Sequence, residues 1–180
     1  MIQLHDKIFK PFISSGELDE TVSNMVQEVT KDLAGEIPVF VAILNGSFMF
    51  ASDFLKKYPS NCEISFLKLA SYEGTSSTLK VKQLVGLNTS LKNRTVVVLE
   101  DIVDTGNTIV EIADLLANEG AKDIKIASLF YKPEVYSKDL TIDYIGMSIP
   151  NKFIVGYGLD YDELGRNLPE VYQFYKQTDK

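Results

Sequence analysis

The chain has 180 residues, 45 % of them apolar and 24 % charged, enough for one sizeable core. Eighteen basic residues stand against 25 acidic ones, and a net charge of −7 excludes an electrostatic footprint for nonspecific binding to nucleic acid or an anionic membrane. The single cysteine, Cys62, excludes an internal disulfide, and with no apolar run near ~18 residues the expectation is a soluble, cytosolic protein.

Residues 2–13 mix β-branched and aromatic side chains and end in the loop Ser14-Ser15-Gly16. Ser15 or Gly16 is placed to cap a helix opened by Glu17 to Glu20. Its apolar positions Val22, Met25, Val26, Val29 and Leu33 recur at helical spacing as far as Gly35. Residues 38–44 read as a buried strand, Asn45-Gly46-Ser47 as a turn and 48–58 as a short helix. A strand over 64–69 leads into a polar loop over 71–78, and 81–85 alternates like a half-exposed strand. Beyond residue 120, strands are expected over 124–130, 142–145, 153–157 and 171–175. Strands alternating with helices predict an α/β fold with a mainly parallel, doubly wound sheet.

The middle of the chain carries the most information. Val96 to Leu99 form a short apolar run fit for a strand buried on both faces, followed by the adjacent carboxylates Glu100 and Asp101 and, three residues on, Asp104. Thr105-Gly106-Asn107-Thr108 makes a turn of small residues, and a helical pattern starts at Ile109. In an open α/β sheet ligands sit at the carboxyl ends of strands, and a small-residue turn opening a helix offers free amides to a phosphate. Carboxylates beside a phosphate site must serve sugar hydroxyls, a metal ion or a proton to be removed. The P-loop and Rossmann glycine patterns are both absent.

The run Glu100 to Thr108 resembles the phosphoribosyl-diphosphate motif of type I phosphoribosyltransferases. The resemblance extends over nearly the whole chain, through Leu44 to Met49, Ser71 to Thr75, and Lys132 onward to Arg166. Within the last segment, Ile149 to Tyr161 is similar to the purine-binding region of the hypoxanthine (hypoxanthine-guanine) phosphoribosyltransferases. What the resemblance implies is a single domain over 1–180 with a flexible lid about 71–80 and a small hood from about 1–15 and 145–180. It implies a Mg²⁺-dependent purine-salvage transferase, joining a 6-oxopurine (hypoxanthine, also guanine) to 5-phosphoribosyl 1-diphosphate with release of pyrophosphate. The product is then IMP or GMP.

By the same resemblance Glu100 and Asp101 hold the ribose hydroxyls directly or through Mg²⁺, and Asp104 is the general base at purine N7. Spacing alone equally allows Asp104 to cap the following helix. Asp104, Thr105, Gly106, Asn107 and Thr108 bind the 5-phosphate; the same residues also suit an ordinary turn. Lys132 meets the 6-oxo group, Phe153 stacks on the base, and the Ile154 backbone reads its edge. Asp160 supports a second metal and approaches the purine, so the implied metal set is Glu100, Asp101 and Asp160. Asn45, Gly46 and Arg166 meet the pyrophosphate, and Ser71 with Tyr72 forms the lid. His5 reads as structural, and Cys62 as a buried thiol rather than a nucleophile.

Two positions depart from the pattern: Asn45 and Asn107 stand where the family often carries lysine. Asn donates hydrogen bonds without charge, so weaker diphosphate affinity or a stronger dependence on Mg²⁺ is expected. Homodimers or homotetramers are common among such enzymes and one of these is expected. Competing readings are a xanthine- or guanine-preferring enzyme on the same fold, a regulator that senses phosphoribosyl diphosphate and binds nucleic acid, and a phosphoacceptor receiver domain. The acidic balance and Asp104 speak against the regulator, and the mid-chain acidic pair against the receiver.

Overall fold

The computed structural model describes residues 1–70 and 82–175. Among the described residues ten strands form two sheets, accompanied by three helices. The larger sheet has the order β5-β4-β3-β6-β7-β8, from β3 (Val39–Ile43), β4 (Glu63–Ala70), β5 (Lys82–Val85), β6 (Thr95–Val103), β7 (Asp123–Tyr131) and β8 (Tyr144–Ser148). Five of these strands run parallel and β5 is antiparallel at the edge.

The apolar strands divide between two faces because side chains alternate along a strand. Phe40, Ala42, Val97, Leu99 and Ala127 pack with helix α1 (Ser15–Asp32) and helix α2 (Phe48–Lys57). Val39, Val41, Val96, Val98 and Ile126 pack with helix α3 (Asn107–Asn118) on the other face. Burying each large side chain contributes roughly 1.5–3 kcal/mol, so replacing one of these with a polar residue is strongly destabilising. The expected doubly wound, mainly parallel sheet is what the chain forms.

The chain leaves β3 for β4 on one side and returns to β6 on the other, so β3 and β6 flank the topological switch point. The crevice that accepts ligands in such sheets lies there, at the carboxyl ends of those two strands. Above it a second, antiparallel sheet runs β1-β2-β10-β9, built from β1 (Ile2–Leu4), β2 (Lys7–Ile13), β9 (Ile154–Val155) and β10 (Val171–Phe174).

Several boundaries differ from the sequence expectation. The α1 cap is Ser14, not Ser15 or Gly16: its hydroxyl accepts from the Glu17 amide while the Glu17 carboxylate accepts from the Ser14 amide, a reciprocal capping box. The C-terminal share of the small sheet starts at Ile154, not near 145, because β8 pairs in parallel with β7 in the large sheet. The strand expected over 153–157 shrinks to two residues because Gly156, Tyr157 and Gly158 all adopt positive φ. No helix among the described residues is long and apolar enough to cross a membrane. The lid residues Ser71 and Tyr72 lie outside the described residues.

Candidate functional site

The strand expected over Val96–Leu99 continues to Val103, because Glu100, Ile102 and Val103 remain paired with Ser128, Phe130 and Tyr131 of β7. Glu100 and Asp101 therefore stand on a strand rather than a loop, and their carboxylates interact with one another. Asp101 is buried, and its carboxylate presses on the turn after β3: a Cβ on Gly46 would lie 1.7 Å from Asp101 Oδ2. A glycine is required there for space. Glu100 keeps some surface exposed, but its Oε2 is out of water with no hydrogen-bond partner.

Burial pushes Glu100 well above the ordinary carboxylate range, and the adjacent Asp101 charge adds to it. Burial raises Asp101 as well, while hydrogen bonds with Glu100 and the backbone and, less strongly, the Arg166 guanidinium pull the other way. Two desolvated carboxylates this close do not both ionise without a counter-charge. That donor set fits a hard divalent cation such as Mg²⁺, which takes one or two protein carboxylates and fills its shell with water and phosphate oxygens. Among the described residues no cluster of three or more His, Cys, Asp or Glu side chains is placed to hold a metal. Asp160 is not drawn into the pair: its Oδ1 accepts from Arg166 Nη2 at 2.8 Å and its Oδ2 from the Glu163 amide at 2.8 Å.

The raised carboxylate makes folding depend on pH. Above the ordinary carboxylate range the unfolded chain has released a proton that folded Glu100 still holds. The stability this contributes is full at low pH and lost as pH rises through the folded value. In metal-free protein Glu100→Gln should therefore melt higher than wild type near about pH 8 and converge with it toward about pH 4. Thermal melts in chelator across that range test this; parallel curves at every pH would remove the coupling.

Asp104 follows β6. The amide of Lys132, just past β7, donates to the Val103 carbonyl at 3.1 Å and brings the two strand ends together. Lys132, only 7 % exposed, donates from Nζ to Asp104 Oδ2 at 2.8 Å and to Asn151 Oδ1 at 3.4 Å. The Asp104 side chain is 47 % exposed, so one side of the pair opens to solvent. Asp104 does not cap α3. The cap position is Gly106, at φ 87° and with no side-chain cap bond. The helix opens two residues earlier than expected, at Asn107, leaving its first amides for a ligand. Gly106 needs both its positive φ and its lack of Cβ, which would strike Tyr136 Cε2 at 2.5 Å and Lys138 Cγ at 2.7 Å. Glu100, Asp104 and the run Thr105 to Ile109 line a cavity of about 110 Å³.

The turn after β3 starts at a cis Leu44–Asn45 peptide. Asn45 Oδ1 accepts from Lys68 Nζ at 3.1 Å. The Gly46 carbonyl faces Gly158, where a Cβ would come within 1.9 Å of that oxygen. Arg166 Nη1 donates to the Gly158 carbonyl at 3.0 Å, so this segment packs on the same turn. Phe153 is 45 % exposed and is no core aromatic; Phe9 and Tyr161 flank it at centroid distances of 5.9 and 5.7 Å. Ile154 is buried, its backbone paired with Gln173 of β10. His5 bonds the Asp162 carbonyl and lies 3.8 Å from the Asp162 carboxylate, with no group of three or more metal-ligating side chains there among the described residues, and burial raises the Cys62 thiol.

Sequence reasoning missed Lys68, Asn151, Tyr136 and Lys138. Lys68 left one signal, a cation near the carboxyl end of its strand, where α/β sheets bind ligands. The aromatic and lysine over Gly106 left none, because the loop holding them reads as ordinary.

Comparison with known proteins gives a consistent result. The family model described as the phosphoribosyl transferase domain matches residues 14–162. The hypoxanthine-guanine phosphoribosyltransferase of Streptococcus mutans is 40 % identical over 169 residues, covering 93 % of this chain and 94 % of the relative. The bifunctional protein TilS/HprT of Listeria monocytogenes is 39 % identical over the same share of this chain, which spans only 26 % of that protein. A crystal structure of a hypoxanthine-guanine phosphoribosyltransferase from Bacillus anthracis superposes with TM-score 0.87 at 36 % identity, covering 94 % of this chain and 99 % of the other. One of a hypoxanthine phosphoribosyltransferase from Staphylococcus aureus gives TM-score 0.87 at 35 % identity, covering 95 % and 94 %.

Proposed function

This chain belongs to the phosphoribosyl transferase family, and we propose that it transfers ribose 5-phosphate from 5-phosphoribosyl 1-diphosphate to hypoxanthine and guanine, giving IMP and GMP. The observation that carries the choice of base is the Lys132–Asp104 pair, 2.8 Å apart at the ends of neighbouring strands. A 6-oxopurine presents N7 and O6 side by side on one edge. A buried ammonium beside a half-exposed carboxylate complements that edge: Lys132 donates to O6 while Asp104 accepts the proton from N7. An adenine, with an amino group at position 6, would face an ammonium that it cannot accept from.

Phe153, exposed yet braced by Phe9 and Tyr161, offers a flat face on which the base stacks. The Asn107 and Thr108 amides and hydroxyl, with the close approach allowed at Gly106, take the 5-phosphate. Asp101 and Glu100 orient the ribose hydroxyls. A bound divalent cation, Mg²⁺ in this reading, would neutralise their charge and that of the diphosphate. Gly46 and Arg166 meet the leaving pyrophosphate once Arg166 turns from Asp160. The unpaired thiol of Cys62 is in keeping with a cytosolic place of action.

The test is a panel of bases. Purified protein with Mg²⁺ and phosphoribosyl diphosphate should form nucleotide from hypoxanthine and guanine at least ~100-fold faster (kcat/KM) than from adenine, since a mismatched polar edge leaves buried groups unpaired. Nucleotide from adenine at comparable rate would overturn the assignment of Lys132. No nucleotide from any base would overturn the enzymatic reading and promote a sensor of phosphoribosyl diphosphate.

A further inference from the structure

We infer that Lys68, on β4, is a pyrophosphate-binding residue that supplies from the neighbouring strand the positive charge the turn after β3 lacks. The inference rests on the reading of that turn as the pyrophosphate site. Strand register places it. Ile43 pairs with Leu67, and the Leu44 amide donates to the Leu67 carbonyl at 2.9 Å, so the chain enters the turn alongside the end of β4. Lys68 is the next residue, half-buried, and its Nζ reaches across to Asn45 Oδ1 at 3.1 Å.

The charges around the turn explain why this ammonium matters. On the far side of Gly46 stands the Asp101 carboxylate, with Glu100 beside it on β6. Two other cations near the crevice are already paired in this structure: Lys132 with Asp104, and Arg166 with Asp160 and Glu163. Among the described residues the polar partner of Lys68 is instead a neutral amide oxygen, which leaves its charge for a ligand. A diphosphate lying on the turn would then have the carboxylate pair and its cation at one end and the Lys68 ammonium at the other. The Asn45 side chain holds that ammonium over the turn. Partial burial strengthens its field relative to a solvated lysine.

Binding of magnesium pyrophosphate and of IMP by calorimetry, on the full chain, separates this role from a structural one. Lys68→Gln should weaken pyrophosphate roughly ten- to a hundredfold, the loss of one charge-assisted hydrogen bond. IMP, which has no diphosphate, should change less than about twofold. Lys68→Arg should retain pyrophosphate affinity. Asn45→Lys should restore it in the Lys68→Gln background while adding much less to wild type, a coupling that only a shared ligand charge produces. Lys68→Met, which keeps the alkyl stem, serves as a second neutral variant should the glutamine fail to fold. Pyrophosphate bound as tightly by the neutral variants as by wild type, or IMP lost by the same factor, would overturn the role of Lys68. Wild type that binds IMP and turns over while the variants do so unchanged leaves the enzymatic reading standing; wild type that makes no nucleotide overturns that reading first.

Discussion

Asp104→Asn should lower kcat for nucleotide formation by roughly 10²–10⁴-fold, the range for removing a general base. The substitution keeps the shape of the side chain and an oxygen that can accept from Lys132 Nζ, now 2.8 Å away. What it loses is the ability to take the N7 proton as the new bond to the sugar forms. The purine would then carry positive charge in the transition state with no group placed to receive its proton. Binding of phosphoribosyl diphosphate should shift only a few-fold, because neither the carboxylate pair nor the amides of α3 are touched. Steady-state kcat with a parallel dissociation constant for the sugar diphosphate measures both. An unchanged kcat would remove Asp104 from the chemistry. Equal losses in kcat and in sugar binding would make it a structural member of the loop. Lys132 keeps a second acceptor in Asn151, so thermal stability should fall little.

The second large effect is expected far from the purine. Gly46→Ala places a methyl where Asp101 Oδ2 would be 1.7 Å and Cγ 2.5 Å away. Those distances are far inside van der Waals contact, so either the turn or the carboxylate must move. Asp101 is buried within a strand whose backbone is fixed by β3 and β7, and the turn is held from behind by Gly158 and by the Leu44–Leu67 bond. Displacing a positioned group by about 1 Å costs on the order of 10²-fold in rate. In the proposed reading both partners meet the same substrate, so kcat/KM for phosphoribosyl diphosphate should fall by at least ~100-fold. The KM for the base should move much less. A crystal structure of the variant, or metal affinity read by calorimetry, identifies which side yields. Full activity in Gly46→Ala would show that the contact relaxes freely and that the turn is not held against Asp101.

Much of this site was legible before any coordinates. The run of valines before Glu100, the small-residue turn and the amphipathic pattern of α3 act through neighbours in the chain, so their spacing alone placed carboxylates and amides at a strand end. Resemblance added expected roles for Lys132, Phe153 and Asp160, and Asp160 is instead held by Arg166 and the Glu163 amide. The α1 cap was misplaced by one residue because Ser14, Ser15 and Gly16 are all acceptable caps, and only the reciprocal bond with Glu17 separates them. Asp104 was balanced between cap and base for the same reason: both need a carboxylate just before a helix. The long-range partner Lys132, 28 positions away, decides it against the cap.

By itself the sequence determined which residues are apolar in period two and which in period three to four, and hence a layered α/β core with an acidic strand end facing a helix N-terminus. Those properties follow from local backbone geometry and from the removal of apolar surface from water. Only the tertiary structure decided that the Gly46 turn lies against Asp101, that Asp104 meets Lys132 and that Lys68 reaches Asn45. Each depends on strand order and register across the switch point, where residues distant in the chain meet at hydrogen-bond distance. A one-residue slip in that register would send the strand residues Asp101 and Lys68 to the opposite face.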